Sequence, residues 1–130
     1  MIERYSDGGG FSAAAAYSRA VRRGGIVAVS GTAATDRDGR ALHPGDTEAQ
    51  TRVCFERAIA ALAALGGSVD DVVRTRVLLA PDADPAGAVA VHRDLFTGRE
   101  PANTTWFVHG FIPEGVLVEV ELDAVLERAE

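Results

Sequence analysis

Apolar and charged residues alternate along segment 116–123, and this alternation constrains the fold more than any other feature of the sequence. In an extended chain, successive side chains point to opposite sides, so each set lies on its own face. The apolar positions are Val116, Val118, Val120 and Leu122, and the opposite positions are Leu117, Glu119, Glu121 and Asp123. The pattern predicts a β-strand whose apolar face lies under helices and whose other face is charged.

Turn and helix signals place further elements around this strand. Gly24-Gly25 separates two β-type runs, a spacing typical of a tight hairpin. The strands are predicted at 17–23, 26–31, 72–79, 104–108 and 116–126, and the helices at about 46–65 and 86–96. The order is therefore β-β-α-β-α-β-β, which predicts an α+β fold with two helices on one face of a sheet.

The first predicted helix has clear end signals. Thr47 is followed three residues later by Gln50, which fits a capping box and begins the helix near Asp46 or Thr47. Gly66-Gly67 is typical of a left-handed cap at the other end. Near the start of the chain, Gly8-Gly9-Gly10 predicts a flexible loop. No strand is predicted before it and no lysine follows it, so the segment is not expected to be a nucleotide-binding loop.

The uncovered face of the predicted sheet carries charges of both signs. Along segment 72–79, the inner positions are Val73, Thr75, Val77 and Leu79, and the outer positions are Arg74, Arg76 and Leu78. An outer face that mixes arginines and acids with Leu78 and Leu117 is unusual for open solvent. It predicts packing against another copy of the chain, with charges paired at the seam.

Composition excludes several classes of function. The 130 residues predict one domain spanning 1–130, and no apolar run approaches the ~18 residues of a membrane-spanning helix, so a soluble cytoplasmic protein is expected. All 13 basic residues are arginine, which excludes a Schiff-base lysine and a P-loop lysine. The net charge of −6 disfavours nucleic acid as a partner. A single cysteine excludes an intrachain disulfide and a cysteine-rich zinc site.

Side chains that could bind a metal or act as nucleophiles are few and scattered. His43, His92 and His109 are far apart in the sequence, which favours surface histidines over a metal site. Cys54 lies in the first predicted helix and is expected to be a small buried residue rather than a nucleophile. The sequence therefore predicts no metal.

Two segments admit both a structural and a chemical interpretation. Trp106 and Phe107 lie on opposite sides of one strand, so we expect one in the core and the other at an interface or pocket. Glu119, with Glu121 and Asp123 on the same side, could supply a general base near a pocket. The same acids could instead form cross-strand salt bridges with the two arginines of 72–79, and spacing alone favours that interpretation.

Five segments, in order and at matching spacing, resemble the RidA/YjgF (Rid) family. They are Tyr17-Ser18-Arg19-Ala20-Val21 with Val29-Ser30-Gly31-Thr32, the helix from Ala49-Gln50 to Gly66-Gly67, Asp71-Val72-Val73-Arg74-Thr75, Pro101-Ala102, and Leu117-Val118-Glu119-Val120-Glu121. The resemblance covers about 17–125. It implies a chorismate-mutase-like α+β fold and a homotrimer with three small-molecule clefts between subunits.

The resemblance also implies an activity and a site. The best-known members hydrolyse 2-enamines and 2-imines, which pyridoxal-phosphate enzymes release, to 2-keto acids and ammonia without a cofactor of their own. In this chain it implies that Glu119 positions or activates water. It further implies that Tyr17, Ser30, Gly31 and Thr105 bind the substrate, the last through its backbone carbonyl.

One position departs from the family pattern. Where those members have an arginine directly after the Pro-Ala pair, which clamps the substrate carboxylate, this chain has Asn103. A guanidinium forms a bidentate charged pair with a carboxylate, whereas an amide offers a neutral hydrogen bond. The loss costs roughly 1.5–3 kcal/mol. We therefore expect poor hydrolysis of 2-imino acids, with Arg19 as the first candidate to replace the missing arginine.

The remaining candidates concern the ligand and the reaction. Arg19, Trp106 and Phe107 are predicted to line the pocket or the interface. The neutral amide of Asn103 and the aromatic bulk of the strand after it together favour a ligand larger and less acidic than an imino acid. Two alternatives to hydrolysis stay open. One is a small-molecule-binding module without turnover, and the other is a pathway enzyme that uses the cleft for dehydration or cyclisation. A ribonuclease activity sometimes attributed to the family is disfavoured by the negative charge.

Overall fold

Six strands form one mixed sheet in the computed structural model, which describes residues 1–127. The strands are β1 Ile2–Tyr5, β2 Ala20–Arg23, β3 Ile26–Ala33, β4 Val72–Leu79, β5 Ala102–Phe107 and β6 Val118–Val125. The helices are α1 Gly10–Ala15, α2 Thr47–Ala64 and α3 Pro85–Phe96. The predicted α+β class and element order are confirmed, with two elements added at the N-terminus.

Strand order in the sheet is β1-β2-β3-β6-β4-β5. The last strand, β6, lies between β3 and β4 and is antiparallel to both, while β5 runs parallel to β4 after the α3 crossover. The added elements are β1, which pairs with β2, and α1, which begins at Gly10. The expectation of a flexible loop at Gly8-Gly9-Gly10 was therefore wrong at its third residue.

Helix α2 begins with a different cap from the one predicted. The Asp46 side chain accepts a hydrogen bond from the Ala49 backbone N–H at 3.0 Å, so Asp46 is the cap. Thr47 instead accepts from the backbone N–H of Asp84, and Gln50 accepts from the N–H of Leu117 at 2.9 Å. The capping-box prediction was wrong because both side chains tie α2 to neighbouring segments. At the other end, the left-handed backbone predicted for Gly66 is confirmed.

The apolar face of the sheet packs under α2 and α3, as predicted. The largest fully buried side chains of the resulting core come from both layers: Leu79 and Leu122 from the sheet, and Phe55, Leu62 and Phe96 from the helices. Strand β4 departs from simple alternation at its start, where a bulge adds one residue between the pairs made with β6. As a result Val72 is buried and Val73 is 48% exposed, so the predicted inner position of Val73 was wrong.

The other face of the sheet has no covering element among residues 1–127. Arg76 forms ion pairs there with Glu121 at 3.5 Å and Asp123 at 3.1 Å, as the cross-strand interpretation predicted. On edge strand β5, Trp106 is 38% exposed and Phe107 is 54% exposed. They lie on opposite sides, but the expectation that one joins the core was wrong because the edge position leaves both accessible. Within residues 1–127, no helix is long and apolar enough to cross a membrane.

Candidate functional site

Glu119 lies on β6 beside a bulge in β3. Between Val29 and Thr32, β3 contains one residue more than the paired stretch of β6, which places the bulge at Ser30-Gly31. A methyl group added to Gly31 would meet Oε1 of Glu119 at 2.7 Å. The absence of a side chain at this position therefore allows the carboxylate to lie directly against the backbone of β3.

The Glu119 carboxyl is the titratable group of this region with a shifted pKa. Partial burial raises its pKa above the ordinary value of 4.5, the guanidinium of Arg19 opposes that rise, and the charge of Glu121 adds to it. Within residues 1–127, neither Arg74 nor Arg76 contacts Glu119, and its carboxylate has no ion pair or hydrogen bond. The salt-bridge interpretation therefore describes Glu121 and Asp123 but not Glu119.

Arg19 supplies a positive charge beside this carboxyl. Its Nη1 donates to the carbonyl oxygen of Gly31 at 2.8 Å and to Oγ1 of Thr32 at 3.1 Å. Its guanidinium carbon lies 5.5 Å from the centre of the Tyr17 ring, and its side chain is only 12% exposed. Ser30 does not offer its hydroxyl to this space, because Oγ donates to the carbonyl of Ser18 at 2.6 Å.

A cavity of about 550 Å³ opens between these groups, and we call it the Glu119 cleft. Its polar lining includes Tyr17, Arg19, Gly31 and Glu119, and its apolar lining includes Phe11 and Ile112. The Phe11 ring packs edge-on against Tyr17 with centroids 6.2 Å apart. Sequence analysis missed both apolar residues. Their signal is modest: each is a large exposed hydrophobic residue close to a glycine.

Asn103 and Thr105 lie elsewhere, in a cavity of about 240 Å³ that we call the Asn103 cavity. Thr105 Oγ1 donates to Oδ1 of Asn103 at 2.9 Å, and Nδ2 of Asn103 donates to Oγ1 of Thr75 at 3.1 Å. Thr75 Oγ1 in turn lies 2.7 Å from Nε2 of His92. Both polar atoms of the Asn103 amide are therefore engaged within the chain.

The strand register places the Glu119 carboxylate and the Asn103 amide on opposite faces of the sheet. Asn103 pairs with Thr75, which is fully buried on the helix side. Trp106 pairs with Leu78, which pairs with Glu119 on the open side. A single chain thus brings Tyr17, Gly31 and Glu119 together with Arg19, but it does not bring Asn103 or Thr105 to them. On β5, the side chain of Phe107 lies on the helix side of the sheet and that of Trp106 lies on the open side.

Two further side chains bear on the chemistry. Cys54 is fully buried, and burial raises the pKa of its thiol to about 12, so it is not a nucleophile. His92 is half-buried rather than on the surface, and burial lowers its pKa. It packs against Phe55 and Phe96, whose ring centres lie 5.7 and 4.6 Å away and which also contact each other. The described residues contain no group of three side chains placed to hold a metal ion.

The sequence and the fold correspond to a known family. The profile of a family described as Endoribonuclease L-PSP matches residues 10–126. The chain belongs to this family, which is also called the YjgF or Rid family. The resemblance seen in five sequence segments is thereby confirmed. The sheet of six strands with three helices also matches structures of YjgF/Rid proteins.

Individual relatives agree with this membership. A protein of Streptomyces coelicolor, named Uncharacterized protein SCO2049, is 37% identical over 123 residues, which cover 95% of this chain and 91% of that protein. The solved structure of Rv2704 from Mycobacterium tuberculosis, a YjgF/YER057c/UK114 family member, is 34% identical with a TM-score of 0.87. It covers 97% of this chain and 100% of its own.

A third YjgF/Rid protein is more distant in sequence but similar in structure. It is YyfA from Yersinia pestis, described as a protein of unknown function of the conserved Rid family, with 28% identity and a TM-score of 0.82. The alignment covers 97% of this chain and 100% of YyfA. The fold is therefore shared along the full length of both solved structures.

Proposed function

We propose that this YjgF/Rid chain is a cofactor-independent hydrolase that deaminates an enamine, an imine or a related carbonyl-type small molecule. The observation that carries the proposal is the Glu119 carboxyl, which is partly buried, unpaired within residues 1–127 and adjacent to a cavity lined by Tyr17 and Gly31. A carboxylate in such a place is suited to proton transfer, since its raised pKa makes it a better base.

The reaction needs little machinery beyond this carboxylate. Glu119 accepts a proton from water while the water oxygen bonds to the imine carbon, and the C=N electron pair moves to nitrogen. The same carboxyl returns that proton to the nitrogen, which gives an amino alcohol. Glu119 then takes the proton of the new hydroxyl and passes it to the nitrogen, so that the C=O bond forms, the C–N bond breaks and neutral ammonia leaves. The guanidinium of Arg19 favours the carboxylate form, because it opposes the rise in the Glu119 pKa.

We further propose that the working site lies between the subunits of a homotrimer. The resemblance implies that the substrate contacts Thr105 and Glu119, and these residues lie on opposite sides of one chain's sheet. A second copy is therefore needed to bring the two sets together. Exposed apolar residues support such packing, since Trp106 on the open face and Val73 beside the bulge are both accessible. Sedimentation should give about three times 13.6 kDa, and a monomer would contradict the shared cleft.

The activity is tested by Glu119→Gln, with Glu121→Gln as the matched control. Both changes remove one carboxylate from the same face of β6, but Glu121 is paired with Arg76. After a screen of enamines, imines and conjugated carbonyl compounds, Glu119→Gln should lower kcat by about 10²–10⁴, while the control retains it. Equal activity in the two variants would refute the role of Glu119.

A binding module without turnover is the second candidate. One observation favours it: Asn103 stands where the family's substrate-clamping arginine is expected, and its amide is engaged by Thr75 and Thr105. The same screen separates the candidates. Saturable binding of a small molecule with no product, in protein whose mass is that of a trimer, would favour the binding module.

A further inference from the structure

The Glu119 cleft continues past Arg19 into a second cavity of about 690 Å³. The two cavities share six lining residues, which are Asp7, Gly9, Arg19, Thr32, Thr35 and Arg57. Beyond them, the second cavity is lined by Asp36 and Arg37. The space is therefore one continuous cleft, with Glu119 at one end and three arginines along the other, and we call that part the arginine end.

Each guanidinium at the arginine end keeps donors free. Arg19 and Arg57 are anchored through Nη1 alone, the latter to the carbonyl oxygens of Ala33 at 3.1 Å and Thr35 at 2.7 Å. A guanidinium carries five N–H donors, so each of these two keeps donors that no hydrogen bond within residues 1–127 uses. Within residues 1–127, Arg37 forms no side-chain hydrogen bond or ion pair, so all of its donors are free.

The acids at this end are occupied by their own loops. Asp7 Oδ1 accepts from the N–H of Gly9 at 3.0 Å, and only its Oδ2 approaches Arg19, at 3.8 Å. Asp36 Oδ1 accepts from the backbone N–H groups of Asp38 and Arg40, both at 2.9 Å. Three arginines against two acids, both held locally, leave the arginine end attractive to an anion.

We propose that Arg19, Arg37 and Arg57 form an oxyanion-binding subsite. Its ligand is an elongated small molecule whose terminal carboxylate or phosphate lies among these guanidiniums and whose other end extends toward Glu119. The position of the reacting carbon rests on the proposed function, whereas anion binding does not. The expectation of a less acidic ligand came from Asn103 and the aromatic residues beside it, whereas the positive charge of this cleft comes from Arg19 before β2, Arg37 in a loop and Arg57 on α2.

Binding of matched probes tests the subsite. The probes are methyl-ketone carboxylates of four to eight carbons, their uncharged amides, and the corresponding alkyl phosphates, measured by calorimetry. Wild-type protein should bind at least one anionic series about tenfold more tightly than the amides, as expected for a charge-assisted hydrogen bond. The tighter series identifies the head group. No preference for an anion, or no binding at all, overturns the proposal.

Two variants and a matched control locate the effect. Arg19→Gln should abolish the preference, and Arg37→Gln should weaken it for the longer probes without disturbing any internal bond. Arg22→Gln is the control, because Arg22, like Arg19, donates two hydrogen bonds within the chain, to the carbonyl oxygens of Gly24 and Leu65, but does not line the cleft. An unchanged preference in Arg19→Gln, or an equal loss in Arg22→Gln, overturns the proposal.

Failure of the subsite is distinguishable from failure of the proposed hydrolysis. If Arg19→Gln abolishes the anion preference while Glu119→Gln leaves turnover intact, the subsite stands and the catalytic role of Glu119 falls. If turnover depends on Glu119 but acids and amides react equally well in wild-type and Arg19→Gln protein, only the subsite falls.

Discussion

The Glu119 cleft and the Asn103 cavity are both lined by polar side chains but differ in how those side chains are bonded. In the Glu119 cleft, the Glu119 carboxylate is unpaired within residues 1–127. Arg19 donates both of its side-chain hydrogen bonds there through a single nitrogen, Nη1. In the Asn103 cavity, Thr105, Asn103, Thr75 and His92 form one chain of hydrogen bonds.

The difference indicates which site is prepared for a ligand. A polar group whose bonds are complete within the protein gains little from a ligand, because a new contact only replaces an old one. A partly buried carboxyl without a hydrogen-bond partner gains more from a ligand, because the new contact replaces no existing bond within the protein. The Asn103 cavity therefore joins β4, β5 and α3, while the Glu119 cleft keeps bonding capacity for chemistry.

Apart from the removal of the Glu119 carboxylate itself, the largest expected effect comes from Gly31→Ala, which alters the Glu119 cleft alone. The added methyl group would meet the Glu119 carboxylate at 2.7 Å, and that carboxylate is the end of a flexible side chain, so it moves. A displacement of about 1 Å should lower kcat/KM about 10²-fold. Gly10→Ala is the control, since nothing lies within 4 Å of its added methyl group. Equal activity of the two variants would contradict the geometry.

Thr75→Val alters the Asn103 cavity, and we expect it to lower stability, whereas Gly31→Ala is expected to lower activity. It removes the hydroxyl that joins Asn103 to His92 and leaves two polar groups without their partner. The free energy of unfolding should fall by about 1–3 kcal/mol, measured by urea denaturation. Thr51→Val is the control, because Thr51 is also fully buried but bonds only a carbonyl of its own helix. A loss no larger than in Thr51→Val would show that the chain of bonds contributes nothing.

Much of the sheet was predictable because alternation is a local property of the sequence. The bounds of β4 were predicted exactly, and β6 was predicted within two residues. The bulges were not, since one extra residue in β4 reverses the side of Val73 without any change in the pattern of residue types. The N-terminal strand is four residues long and lies at an edge, so its sequence carries little signal.

The Glu119 cleft was more predictable from the sequence than the Asn103 cavity. The resemblance implied a shared cleft for Tyr17, Gly31 and Glu119, and the β3–β6 pairing brings them together. No sequence signal could show that the Asn103 amide is engaged, because that depends on Thr75 and His92, which come from other elements. Long-range hydrogen bonds of this kind depend on packing rather than on local propensity.

A pH titration of stability sharpens the description of the Asn103 cavity. Burial holds the pKa of His92 below its ordinary value of 6.5. The unfolded chain therefore binds a proton first, so this residue's contribution to stability is lost as the pH falls through 6.5 and below. His92→Phe retains an aromatic ring against Phe55 and Phe96 but cannot titrate. Its stability should depend less on pH between 7 and 5, and an unchanged slope would contradict a neutral buried imidazole.

The smallest expected effect is on stability at the Glu119 cleft, and it has the opposite sign. Because burial raises the Glu119 pKa above 4.5, the folded chain binds the proton more tightly than the unfolded chain. Stability therefore falls as the pH rises from 4.5 through the raised pKa, and the wild-type protein carries that penalty at neutral pH. Glu119→Gln should be slightly more stable than wild type at pH 7, with the gain vanishing near pH 4.

Glu121→Gln provides the contrast, because it breaks an ion pair with Arg76 that is about one-third exposed. That change should destabilise the protein at pH 7, by no more than about 1 kcal/mol. Thermal melts of the three proteins at pH 7 and pH 4 separate the cases. If Glu119→Gln also destabilises at pH 7, Glu119 has a partner, and the carboxyl is a structural group like those of the Asn103 cavity.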